Sequence, residues 1–161
     1  MPKTRAQALM AMTMALGQLQ RAYRAKADKL VAPLGLSSAM AWPLVLIGRH
    51  PEGIRPGGLS EELGIEGPSL VRSLNQLVDA GLVLRQDDLV DKRAKVLHLT
   101  PAGSAIQIRI EAMLNDFRAT LFEDVPQADI DACLRTFCLL ERRLGINGSS
   151  SLDDALINTP A

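Results

Sequence analysis

The chain has 161 residues, 47% of them hydrophobic, 22% charged and only five aromatic, which is enough for one buried core and predicts a single domain, with or without helical extensions. No apolar run reaches the roughly 18 residues of a membrane span, and Met1-Pro2-Lys3-Thr4-Arg5 does not open a signal peptide's apolar block, so a cytoplasmic protein with no membrane partner is expected. The zero formal charge hides an imbalance: residues 1–50 carry seven Lys/Arg against one Asp, and residues 101–161 carry five against nine acids.

From Thr4 to about Val31 the apolar residues Leu9, Met12, Leu16, Leu19 and Tyr23 recur at steps of 3 and 4, the stripe of a helix. Such a helix would be roughly 40 Å long, more than this domain needs to cover its own core, so part of it is expected to pack against another chain. Met10, Met12, Met14 and Met40 fit core or a dimer seam better than a ligand-facing cluster. Pro33 and Gly35 end the helix, and Ser37 is placed to cap a second one running to about Gly48. Pro43 falls inside it and is expected to kink it or shift its first turn. Arg49 to Gly58 is rich in turn residues and reads as a loop with a short extended piece at Ile54-Arg55.

A short helix over Leu59 to Leu63 is stopped by Gly64, and another opens at Gly67-Pro68, where proline suits the first helical position, and ends at Gly81. Leu70, Leu74, Leu77 and Val78 mark its buried face, leaving Ser69, Arg72, Ser73 and Gln76 on an exposed polar face. Leu82 to Arg85 and Lys95 to Leu99 are short branched runs that predict a hairpin with a projecting connection. Thr100-Pro101 opens a long helix over about 101–123, and Pro126 opens a last one as far as Leu144.

Helix, helix, short helix, turn, helix and hairpin is the order of a winged helix-turn-helix, in which the second helix of the turn enters the DNA major groove. The face at 67–80 has the chemistry for that: Arg72 can fork onto guanine or phosphate, Gln76 can pair with adenine, and Ser69 and Ser73 permit close approach. The helix start at Pro68 points free N–H groups towards a phosphate. Lys92, Arg93 and Lys95 put three cations on the hairpin tip, for the DNA backbone or minor groove.

The run Leu63-Gly64-Ile65-Glu66-Gly67-Pro68-Ser69-Leu70-Val71-Arg72-Ser73-Leu74, then Asp91-Lys92-Arg93-Ala94-Lys95, then Leu97-His98-Leu99-Thr100-Pro101-Ala102-Gly103, resembles the MarR family of bacterial transcription regulators, most of all its SlyA-type branch. The resemblance is sharp over about 59–103 and extends by element lengths over 4–145. It implies a mostly α fold with a small β-hairpin wing, and long N- and C-terminal helices that interlock two chains. The division it implies is 1–35 for dimerisation, 36–100 for the DNA-binding winged helix-turn-helix, 101–145 for dimerisation and 146–161 as a flexible tail. It further implies a homodimer on a pseudo-palindromic operator, a repressor role, and release by a small anionic or phenolic ligand. By position, Ser69, Arg72, Ser73 and Gln76 would face bases or phosphates, Arg93 would enter the minor groove oriented by Asp91, and Lys92 and Lys95 would hold phosphates. Two features depart from the family's pattern. Residues 65–100 carry five cations against five acids, among them Asp87 and Asp88 beside the wing, and Pro43 interrupts a helix that usually runs unbroken.

No metal, cofactor or catalytic constellation emerges, so an enzyme is not expected. His50 and His98 read as ordinary surface or loop histidines, Gly57-Gly58 as a turn, and Cys133 and Cys138 as buried structural thiols. A ligand pocket, if the fold has one, is expected between the helical body and the winged module. There Tyr23 and Trp42 would stack on a ring and Arg24 or Arg49 would meet a carboxylate. The alternative to DNA binding is a winged helix that grips a partner protein.

Overall fold

The structure, a computed structural model, describes residues 4–88 and 93–145. Helix α1 (Arg5–Val31) and a 3₁₀ turn (Ala32–Leu34) lead to α2 (Ser38–Gly48), α3 (Pro56–Leu63) and α4 (Gly67–Asp79). Strands β1 (Val83–Asp87) and β2 (Lys95–Leu99) follow, then α5 (Pro101–Leu121) and α6 (Gln127–Leu144). The fold is the predicted one, mostly helical with a two-stranded antiparallel wing. No single helix among the described residues is long and apolar enough to cross a membrane.

Thr4 starts α1 with a reciprocal cap: its hydroxyl accepts from the Gln7 amide at 3.3 Å, and the Gln7 side chain accepts from the Thr4 amide at 2.9 Å. Only Ala27 and Val31, at the far end of the 27-residue helix, are buried. Helix α2 is apolar on nearly every side and forms the centre of the core, burying Ala41, Leu44, Val45 and Ile47 against α3, α4, α5 and β2. Pro43 is buried too, within a helix that continues on both sides, so the lost N–H is tolerated without ending the element.

Helix α3 begins at Pro56, three residues before the expected start. Gly57 and Gly58 read as a turn, but a proline at the first position fixes φ for the helix, and first-turn amides need no intrahelical acceptor. Gly64, at φ +61°, closes the helix in the left-handed region that glycine enters without strain.

In the hairpin Val83 faces Leu99 and Asp87 faces Lys95. Strand β1 thus runs two residues beyond the expected Arg85. Ile54 exchanges backbone hydrogen bonds with Leu97 at 3.2 and 2.9 Å, tying the loop before α3 to the outer edge of β2. Thr100 then locks the wing to α5: its hydroxyl donates to the Gly81 carbonyl at 2.7 Å and accepts from the Gly103 amide at 3.0 Å. A Cβ on Gly103 would lie 2.0 Å from the Leu82 carbonyl oxygen, so the Leu-Thr-x-x-Gly run needs glycine there for close packing.

Candidate nucleic-acid interface

Leu70, Leu74 and Leu77 pin α4 to α2 and turn Pro68, Ser69, Arg72 and Gln76 outward. Ser73 does not join them. It is 5% exposed, and its hydroxyl donates to the Ser69 carbonyl at 3.2 Å. The i, i+4 spacing from Ser69 suggested a shared exposed face, but the Ser73 side chain is buried and turned back onto the helix's own backbone. Val71, 52% exposed on α4, was missed because an apolar residue in a recognition helix reads as core. Its methyl groups suit contact with a thymine methyl.

Asp87 and Asp88, the wing acids among the described residues, are already engaged. Arg55, the N-cap residue of α3, donates from Nε and Nη2 to Asp88 Oδ2, both at 2.7 Å, and so ties the far end of β1 to the helix-turn-helix. Lys95 pairs with Asp87 directly across the strand register. Lys95 is therefore not a waiting cation, and a phosphate would have to displace Asp87 from it. Arg85 Nη2 donates to Asn75 Oδ1 at 2.8 Å, linking β1 to α4. Arg93 is exposed beside the wing. The expected contributions of Asp91 and Lys92 lie outside the described residues.

The expected ligand residues do not converge. Tyr23 stacks on Phe117 at 5.4 Å and accepts from Arg118 Nε at 3.2 Å. Arg49 pairs with Glu111 at 2.8 Å, and Glu111 also lies 3.7 Å from Arg118. Trp42 donates from Nε1 to Asp28 at 2.8 Å, and the Arg24 guanidinium covers its ring at 4.9 Å. The crevice by Trp42, walled by Val45, Ile110 and Leu114, has no room for a water molecule, still less for a ring. Tyr23, Trp42 and Arg49 thus each already have a partner within the chain.

An open cleft of about 530 Å³ lies elsewhere, between the end of α1, the start of α2 and the outer face of α4. Ala39, Pro43, Leu63 and Ile65 form its apolar wall, and Arg24, Ser38, Ser69, Arg72 and Gln76 its polar side. Of the expected ligand residues only Arg24 reaches it.

His50 is not an ordinary surface histidine: its Nε2 lies 3.1 Å from Glu62 and joins the end of α2 to α3. His98 is half-buried on β2, its ring packed over Gly53. Cys138 is buried as expected, whereas Cys133 is exposed on α6. The helical spacing of five puts the two thiols on different faces, and only one face of α6 meets the rest of the chain.

A polar recognition helix supported on an apolar turn, with a wing held at a fixed distance beside it, defines a winged helix-turn-helix transcription regulator. The family model described as MarR family matches residues 34–94. A solved transcriptional regulator, PA3341, is 30% identical, with 84% of this chain and 99% of that one covered and a TM-score of 0.79. The transcriptional repressor CouR, solved on a 23-mer DNA duplex, is 26% identical over 86% of this chain and 99% of that one, with a TM-score of 0.68. CouR from Rhodococcus jostii RHA1 bound to p-coumaroyl-CoA matches at 23% identity over 78% and 88% of the two chains, TM-score 0.71, a likeness of fold. The chain belongs to the MarR family.

Proposed function

We propose that the protein is a cytoplasmic repressor of the SlyA-like branch that binds a pseudo-palindromic operator as a homodimer and is released by a small anionic or phenolic ligand. One observation carries the two-chain reading. The first five turns of α1 and most of α6 expose apolar residues that a single chain leaves in water, among them Leu9, Met10, Met14, Leu19, Leu139 and Leu144. So many exposed large apolar residues on two terminal helices support an interface there. In this reading residues 1–35 and 101–145 clasp the partner copy, and 36–100 reads DNA.

Within each reading head Ser69, Arg72 and Gln76 address the major groove, with the helix start at Pro68 against a phosphate. Arg93 addresses the minor groove, and Lys95 exchanges Asp87 for a phosphate. The Arg55–Asp88 pair supports this assignment, because it neutralises one acid at the wing without using a wing cation. The branch assignment rests on the Asp-Lys-Arg-Ala wing followed by Leu-Thr-Pro-Ala-Gly. Ligand release is supported by CouR, a relative solved with both DNA and p-coumaroyl-CoA.

The test is selection of duplexes from random-sequence DNA, followed by fluorescence anisotropy over a range of salt. The expected outcome is an enriched site with two half-sites about one helical turn apart and an affinity that falls steeply with salt. Absence of any duplex binding at low ionic strength would leave a protein-interaction module as the reading.

A further inference from the structure

We infer that Arg85, oriented by Asn75, holds the backbone phosphate of duplex DNA that lies between the groove read by α4 and the groove entered by the wing. This rests on the DNA-binding reading and deepens it with a contact that no sequence motif marks.

The first observation is the bond itself. Arg85 Nη2 donates to Asn75 Oδ1 at 2.8 Å, from the middle of β1 to the second half of α4. Both residues are exposed. Asn75 follows Arg72 by three positions and Val71 by four, so it stands on the outward side of the helix, away from the buried Leu70, Leu74 and Leu77. The bond therefore runs over the outer surface of the module and not through its core.

Charge is the second. Arg49, Arg55 and Lys95 are each offset by a carboxylate, whereas the group that orients Arg85 is a neutral amide. Of the acids nearby, Asp87 is taken by Lys95 and Asp88 by Arg55, and Asp79, one turn beyond Asn75, makes no ion pair with Arg85. A guanidinium carries five N–H donors, and among the described residues Arg85 uses one of them. With Oδ1 accepting from Arg85, the N–H groups of the Asn75 amide point elsewhere. The pair thus offers donors and a positive charge held in a fixed direction, a combination that fits an anion.

Position names the anion. With α4 in the major groove and Arg93 in the adjacent minor groove, one sugar-phosphate strand runs between them, because neighbouring grooves of a duplex are divided by a backbone. A side-chain bond that joins α4 to the wing strand on the outward surface lies over that strand. Arg85 is then a phosphate contact that sets register, and Asn75 a positioning residue that acts through it. Aimed placement of this kind gives electrostatic affinity to a module whose residues 65–100 hold as many acids as cations.

The experiment is fluorescence anisotropy of the full chain over a range of salt, on the duplex it selects and on an unrelated one. Arg85→Gln is expected to weaken both duplexes alike, by about tenfold or more at low salt, and to flatten the salt slope by about one unit per reading head. Asn75→Ala keeps the charge and loses only its aim, so a loss of about threefold with an unchanged slope is expected. Arg85→Lys should restore the slope without the full affinity. Replacing the phosphates of the selected duplex one at a time by neutral methylphosphonates should reveal a position between the major-groove and minor-groove contacts that costs the wild type about tenfold, and Arg85→Lys and Arg85→Gln progressively less. That series decides the matter with the wild type and Arg85→Lys even if Arg85→Gln does not fold. An unchanged slope in folded Arg85→Gln, a loss confined to the selected duplex, or a phosphate series without such a position would overturn the assignment. A slope in Asn75→Ala as flat as that of Arg85→Gln would overturn the positioning role. A wild type that binds no duplex contradicts the regulator reading, whereas duplex binding indifferent to Arg85 contradicts this assignment alone.

Discussion

The stretch from α2 to the start of α5 and the two terminal helices treat their apolar residues in opposite ways. Between Ala41 and Leu97 the large side chains meet inside the chain, and Leu44, Leu59, Leu70, Leu74, Leu77 and Leu97 are all fully buried. In α1 the periodic stripe is just as regular, yet Leu19 is 66% exposed, and in α6 only Cys138 is buried. Equal periodicity with unequal burial separates a module complete in itself from extensions whose apolar residues are left exposed by this chain. Under the proposed function the first would read DNA and the second would clasp a partner copy.

Substitutions in the two regions should therefore fail differently. The largest effect is expected at Leu77→Ala, where a cavity in the sealed core costs about 2–5 kcal/mol of stability, read from urea unfolding. Gly103→Ala comes next: its new methyl meets the Leu82 carbonyl, and a loss of about 1–3 kcal/mol in the same measurement is expected. Arg72→Ala should leave stability alone but weaken the selected duplex by about 1–3 kcal/mol, and a non-specific duplex by less, as read by anisotropy. Arg55→Ala should have the smallest effect, about 0.5–1 kcal/mol of local wing stability seen as faster amide exchange in β1, because the Arg55 side chain is half exposed and solvent screens its pair with Asp88. A wing insensitive to Arg55 would mean that the hairpin alone holds its pitch.

Local rules made much of this fold legible. The stop at Pro33 and Gly35, proline at the head of α4, and Thr100-Pro101 at the head of α5 are signals spanning two or three residues, and each stands where the sequence placed it. What escaped depends on contacts between distant residues or on neighbours that periodicity ignores. Arg55 and Asp88 are 33 positions apart, and nothing in either segment announces the pair. Ser73 lies on the polar side of α4 by the helical wheel but is covered by its tertiary neighbours. Tyr23, Trp42 and Arg49 have the residue types of a ligand site, yet each is satisfied within the chain. The cleft forms where α1, α2, α4 and the turn after α3 meet, so Arg24 and Arg72, 48 positions apart in sequence, come to line one concavity only in three dimensions.

The contrast between a finished head and an unfinished clasp is tested most directly by sedimentation equilibrium of the wild type beside Leu19→Glu, with and without the selected duplex. The account predicts a wild-type species of twice the 17.4 kDa chain mass that binds one duplex as a pair. It predicts for Leu19→Glu a folded species shifted towards single chains. A wild type that sediments as one chain and binds the duplex with undiminished affinity would contradict it.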